Sequence, residues 1–226
     1  METAFAELMR QRRSTRAFTD QPVERVIVEE ILRVARLAPS GANLQPGHFH
    51  ALAKQSLTSL KGALAQAVED RRPHDAEYSY FPDPMPAYLK ARQRAAGFAL
   101  YKALGIDRRD VEGRRAQFDR NYAFFDAPVG IVVTIERAMG KGCFMDLGMA
   151  VMSLLLAAEA AGLATTGIGA LANHAKVVHQ HLDLPDSEMV VCGIALGHAD
   201  KSAPVNQFRT ARASLDEYAT FRGFED

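Results

Sequence analysis

Only two of the 226 residues are cysteines, Cys143 and Cys192, and they stand in unrelated contexts. That scarcity argues against a disulfide-stapled scaffold and points to buried thiols in a reducing compartment. Charge of one sign is also missing, since 27 Lys and Arg balance 27 Asp and Glu for a formal net charge of zero. Without a global field to hold DNA, RNA or an anionic surface, no nucleic acid and no membrane are expected as partners. The longest apolar run, residues 147–158, contains Gly148 and Ser153 and meets Glu159. It falls short of the roughly 20 residues that span a bilayer. The opening Met1-Glu2-Thr3-Ala4-Phe5 has an early acid and no basic stretch ahead of an apolar run, so no secretory signal is expected and the cytoplasm is the expected location. There is no repeat, no low-complexity tract, no Gly-x-Ser-x-Gly elbow and no phosphate loop of the GxxxxGK[ST] type, which leaves serine-hydrolase and P-loop chemistry without support.

What is present suits one sizeable core: 48% of the residues are hydrophobic, and residues 1–226 read as a single domain. Residues 22–38 are predicted to form a helix with Ile27, Ile31, Val34 and Ala38 on one apolar face, stopped by Pro39. A short strand is predicted at 49–53, a helix around Leu57, Leu60 and Leu64, and strands at the β-branched runs 129–135 and 189–196. Strands and helices mix without regular alternation. Residues 146–162 are apolar almost all round, so a helix there must be buried on most sides, either in the core or against a second subunit.

Between residues 71 and 122 the composition shifts. Pro73, Pro82, Pro84 and Pro86 punctuate a loop carrying Tyr78, Tyr80 and Phe81, and two arginine-rich helices are predicted at about 87–104 and 110–122. Residues 86–122 hold nine bases (Lys90, Arg92, Arg94, Lys102, Arg108, Arg109, Arg114, Arg115, Arg120) against four acids (Asp107, Asp110, Glu112, Asp119), a local excess of five. The pair is either an ordinary solvated face or an insertion, 72–122, that shapes a pocket.

The chemistry concentrates in two strings. Arg12-Arg13-Ser14-Thr15-Arg16-Ala17-Phe18 places three guanidinium groups and a hydroxyl within five residues. Such forks suit a phosphate or an electron-rich ring edge, although a basic strip is also what a solvated helix end looks like. One helical segment later comes Ala38-Pro39-Ser40-Gly41-Ala42-Asn43-Leu44-Gln45-Pro46. In this order the strings resemble the opening of the FMN-dependent nitroreductase family (RRSxRxF, then APSxxNxQP). The resemblance continues through Ala127-Pro128-Val129, Asp146-Leu147-Gly148, the stretch from Gly162 to Gly169, and Phe208-Arg209-Thr210-Ala211-Arg212.

That resemblance implies an α+β fold of three layers, α/β/α, around a mostly antiparallel sheet, in an intertwined homodimer with FMN at the interface. It implies Arg12, Ser14, Arg209 and Arg212 as ligands of the FMN phosphate, Arg13 along the ribityl chain and ring edge, and Arg16 as the cation facing N1–C2=O. Pro39, Ser40 and Asn43 are implied to reach the flavin from the partner subunit, and the Gly167-Ile168-Gly169 backbone to approach N5. The implied activity is ping-pong hydride transfer from NADH or NADPH to nitroaromatic or quinone acceptors, with the chemistry carried by the cofactor and no side-chain nucleophile or base. Two positions depart from the family pattern, Gly47 where an aromatic residue is common and Gly169 where an acid is common. The same scaffold also serves reductive dehalogenation and flavin fragmentation, and a non-catalytic flavin-binding protein would need the same contacts.

Two other readings have less support. Gly167-x-Gly169-x-x-Ala172 matches a loose dinucleotide fingerprint, but a long apolar helix precedes it and only 163–166 could supply the strand. His174, His179 and His181 do not converge on one helix face, so no metal site is expected from them.

Overall fold

The computed structural model describes residues 3–224. At its centre lies β2 (Val129–Glu136), the β-branched run, in which every residue but Glu136 is buried. A strand covered on both faces can dispense with polar alternation, and this one does. It pairs on one side with β1 (His48–Ala53) and on the other with β4 (Glu188–Gly197), which in turn pairs with β3 (Ala164–Ile168). The order β1-β2-β4-β3 is antiparallel throughout, so the βαβ unit that a dinucleotide fingerprint requires is not formed around Gly167 and Gly169.

Helices cover both faces, giving three layers. On one face α3 (Lys54–Glu69) and α7 (Ala175–Leu182) bring Leu57, Leu60, Leu64, Val177 and Val178 onto Val132 and Val190. On the other, α2 (Arg25–Ala35) and α6 (Lys141–Ala160) bring Val28, Ile31, Ala35, Leu147, Leu154 and Ala158 onto Ile131, Val133 and Ile135. Space between layers is tight at Gly130, where a Cβ would lie 2.7 Å from Leu57 and 2.9 Å from Phe124. The α2 helix is shorter than residues 22–38 and turns a different face inward. Val28, Ile31 and Ala35 are buried, whereas Ile27 and Val34 are 40% and 42% exposed. Apolar residues at 26, 27, 28, 31, 32, 34 and 35 leave two candidate stripes, and packing against α6 selects one.

Four further helices complete the described chain: α1 (Ala4–Gln11), α4 (Ala87–Ala103), α5 (Val111–Asp119) and α8 (Leu215–Tyr218). The α5 helix stops before residue 122. Past it, Phe124 and Phe125 adopt positive φ of 50° and 52° and drop into the core, which no continuing helix could do.

The α6 helix begins at Lys141 and runs 20 residues, so by length and composition it could cross a membrane, unlike the shorter run 147–158 taken alone. Within this chain it buries only Leu147, Leu154 and Ala158, and Met145 and Met149 stay 71% and 39% exposed. One face packs on the sheet. The rest also touches α1 and the 41–43 turn, and its apolar surface around Met145 and Met149 is uncovered among the described residues.

A bulge in β4 organises the loop before α4. Val133 faces Cys192 but Thr134 faces Val190, so Val191 is an extra residue in the ladder. The Val190 amide donates to Glu77 at 2.8 Å, and the Tyr78 hydroxyl donates to the Val191 carbonyl at 2.6 Å. Arg137 and His179 hold the same Glu77 carboxylate. Anchored in this way, the loop lays the Tyr80 ring against Gly169.

Candidate functional site

The first basic string leaves α1 at Arg12, whose ψ of 129° turns the chain extended. Ser14 then bridges Thr165 in parallel on the free edge of β3, the Thr15 amide donates to the Thr165 carbonyl at 2.9 Å, and Phe18 bridges Ala199. Extended backbone alternates its side chains. Thr15 is accordingly buried at 2% exposure, while Ser14 and Arg16 project to the other side.

Asn206, buried at 5% exposure, pins this segment. Its Oδ1 accepts from the Arg16 amide at 2.8 Å, its Nδ2 donates to the Ala17 and Asp200 carbonyls at 2.8 Å each, and its carbonyl accepts from Arg13 Nη1 at 2.7 Å. No pattern in the sequence marks this asparagine, because its partners in the first basic string lie about 190 residues away.

The C-terminal basic string closes over the first. Arg209 donates through Nη1 to the Arg10 carbonyl and through Nη2 to the Gln11 carbonyl, and Arg212 donates to Thr210 Oγ1 at 2.9 Å. Arg12, Arg13, Ser14, Arg16, Arg209 and Arg212 thereby line one cleft of about 620 Å³. Among the described residues, the hydrogen bonds of these five arginines go to backbone carbonyls and a threonine hydroxyl, with no carboxylate as partner. Burial, then the nearby charges of Arg212 and Arg209, push Arg12 below the usual guanidinium range, against a counter-pull from Glu159. Burial does the same to Arg16. Glu159, at the end of α6, feels the charges of Arg13, Arg12 and Arg209, yet its own burial raises it above the ordinary carboxylate range. Repelling, partly desolvated guanidinium groups without a full counter-charge are a site for an external anion.

The 167–169 segment ends β3, two residues beyond the bridge to Ser14. Gly167 is exposed with open space where a Cβ would stand, whereas a Cβ on Gly169 would meet the Tyr80 ring at 2.9 Å. The glycine at 169, where the family often carries an acid, therefore makes room for an aromatic ring.

Pro39, Ser40 and Asn43 are not brought to this cleft within the chain. Pro39 and Ser40 line a separate cavity of about 300 Å³ with Asp146 and Gly47, and the two cavities share no residue. The turn is built locally: Ala42, Asn43 and Gln45 take φ of 51°, 57° and 49°, Ser40 Oγ accepts from the Gln45 amide at 2.8 Å, and Asp146 accepts from the Gly41 amide at 3.0 Å. Asp146 and Glu159 sit near opposite ends of α6. Thirteen residues at a rise of about 1.5 Å separate them by roughly 20 Å.

The histidines singled out from sequence go to different neighbours. His174 packs edge-on against Tyr122 and His74, and His179 approaches Glu77 at 3.3 Å.

Comparison with known proteins agrees with this arrangement. The chain is 37% identical over 219 residues to the chloronitrobenzene nitroreductase of Comamonas testosteroni, covering 95% of each chain. It is 34% identical over 221 residues to the 4-nitrobenzoate reductase of Pseudomonas putida, covering 98% of this chain and 96% of that one. Its fold superposes with a TM-score of 0.96 on the crystal structure of the FMN- and NADPH-dependent nitroreductase NfnB from Sphigopyxis sp. strain HMH, at 36% identity over 98% of this chain and 100% of that one. The sequence profile of the nitroreductase family matches residues 9–198, from the end of α1 to the end of the sheet, and with these relatives it shows that the chain belongs to that family.

Proposed function

We propose that the protein is an FMN-dependent NAD(P)H nitroreductase, working as a cytoplasmic homodimer on nitroaromatic or quinone acceptors. The observation that carries this reading is the cleft in which Arg12, Arg13, Arg16, Arg209 and Arg212 gather with no hydrogen bond to a carboxylate among the described residues, while Arg10 on its wall pairs with Glu7. It fits FMN on two grounds: the guanidinium forks match a phosphate, and the open surface at Gly167 leaves backbone accessible beside them. Bound FMN would supply the redox chemistry, taking hydride at N5 from NAD(P)H and passing it to the acceptor.

The chain's residues bind and orient. Arg12, Ser14, Arg209 and Arg212 would hold the phosphate, Arg13 would follow the ribityl chain, and Arg16 would present a fixed cation to the N1–C2=O edge, where reduction leaves negative charge. The 167–169 backbone would approach N5. Pro39, Ser40 and Asn43 would reach the site of the opposite chain; the uncovered apolar face of α6 and the roughly 20 Å that keep this turn from the cleft of its own chain support the dimer. Both cysteines are free, in keeping with a reducing compartment. Relatives that act on chloronitrobenzene and 4-nitrobenzoate favour nitrobenzene derivatives as acceptors, and NfnB favours NADPH as donor.

The test is spectroscopic. Purified protein should be yellow, bleach with NADPH under anaerobic conditions, and regain its colour when a nitroaromatic is added. Yellow protein that no pyridine nucleotide bleaches would be a flavin binder, and colourless protein that cannot be reconstituted with FMN would overturn the reading.

A further inference from the structure

At one corner of the sheet three side chains from two strands meet over a third. His48 and His50 stand at i and i+2 on β1, so both project from one face. Thr134 lies directly opposite His48 on β2 and opposite Val190 on β4, which places Glu188, two residues before Val190, on the same face. His50 Nε2 is 3.2 Å from Glu188 Oε2, and His48 Nδ1 is 3.5 Å from Glu188 Oε1. The imidazole rings lie 4.2 Å apart, and all three residues offer a ligand atom within 4.8 Å of one another.

We propose that His48, His50 and Glu188 form a binding site for a zinc-type divalent cation, none of whose residues lines the arginine cleft of the same chain. Two imidazoles and a carboxylate are the donor set that such ions select. At metal–ligand distances of about 2.0–2.2 Å, tetrahedral donors stand roughly 3.3–3.5 Å apart, close to the 3.2 and 3.5 Å between the imidazoles and the carboxylate oxygens. The site is also supported in the way ligating carboxylates commonly are: the Thr134 hydroxyl donates to Glu188. The His48 side chain is 66% exposed, which gives the ion an entry path and leaves the fourth position to water. The competing account is a plain histidine–carboxylate hydrogen-bond cluster. It predicts no saturable binding.

The test is titration of the FMN-loaded, chelator-treated protein with Zn²⁺ by calorimetry and with Co²⁺ by visible absorption, using wild type, His48→Ala and Glu188→Gln. The expected result is one ion per chain, Co²⁺ bands of a four- or five-coordinate site, and affinity lower by at least about tenfold in both variants. His48 is largely exposed, so its removal should leave the fold intact, and far-UV circular dichroism checks this. A thermal midpoint that rises with Zn²⁺ in wild type but not in His48→Ala would be a second supporting sign. Absence of saturable binding, or binding weakened less than tenfold in His48→Ala, overturns the proposal.

Discussion

At the scale of single residues the account rests on which arginine does what. Arg16 is the guanidinium whose backbone is held by Asn206 and whose side chain, among the described residues, hydrogen-bonds the Ser14 carbonyl at 3.3 Å and no carboxylate. That leaves its donors free to face a ligand. Arg16→Ala should weaken FMN binding by roughly 1.5–3 kcal/mol, the range for a charge-assisted contact. It should also make the flavin midpoint potential more negative, since the lost cation stabilised the reduced state. Equilibrium dialysis and anaerobic potentiometry read the two effects, and an unchanged potential at full occupancy would remove Arg16 from that role. The arginines were legible in sequence because five guanidinium groups in two short strings state their chemistry locally. Asn206 was not, since it becomes a pin only after 13–17 and 200–206 are brought side by side. Nor was the His48–His50–Glu188 corner, whose members are gathered by strand pairing across some 140 residues.

At the scale of elements, the strands followed from β-branched runs, and β1, β2 and β4 lie within a residue or so of the spans read from sequence. The inward face of α2 and the β4 bulge did not follow, because both depend on partners. The two basic helices carry an open question that the structure narrows. Arg92 pairs with Glu217, Arg115 with Asp119 and Arg120 with Asp126, while Arg108 and Arg114 stack over Phe98 and Tyr101. Arg94 and Arg109 remain the candidates to meet substrate, on the proposal that 72–122 shapes the pocket. Their contact with a bound carboxylate in a water-poor site would contribute about 1.5–3 kcal/mol, against well under 1 kcal/mol for an exposed charge. We therefore expect kcat/KM for 4-nitrobenzoate to exceed that for nitrobenzene after correction with a non-enzymatic flavin reference. Arg94→Ala combined with Arg109→Ala should abolish the difference. Equal corrected values in the wild type would mean that the helices are only solvated.

At the scale of the whole molecule, the central claim is that one flavin site is built from two chains. A single chain places its arginine cleft and its Pro39–Ser40–Asn43 turn near opposite ends of α6, and a self-complementary dimer with the apolar face of α6 at its centre would bring each to the other's counterpart. Sequence alone hinted at this through the apolar helix, for which the family resemblance favoured subunit contact over core burial. The exposed Met145 and Met149 favour the second. The decisive measurement uses two differently tagged chains, Arg12→Ala/Arg209→Ala and Ser40→Ala/Asn43→Ala, co-expressed and purified through both tags. Each parent homodimer should lose its flavin on gel filtration. The heterodimer pairs one intact arginine cleft with one intact turn, so the account predicts that it retains about one FMN per two chains. A heterodimer as devoid of flavin as its parents, or a Ser40→Ala/Asn43→Ala parent that keeps its full complement, would contradict the shared site.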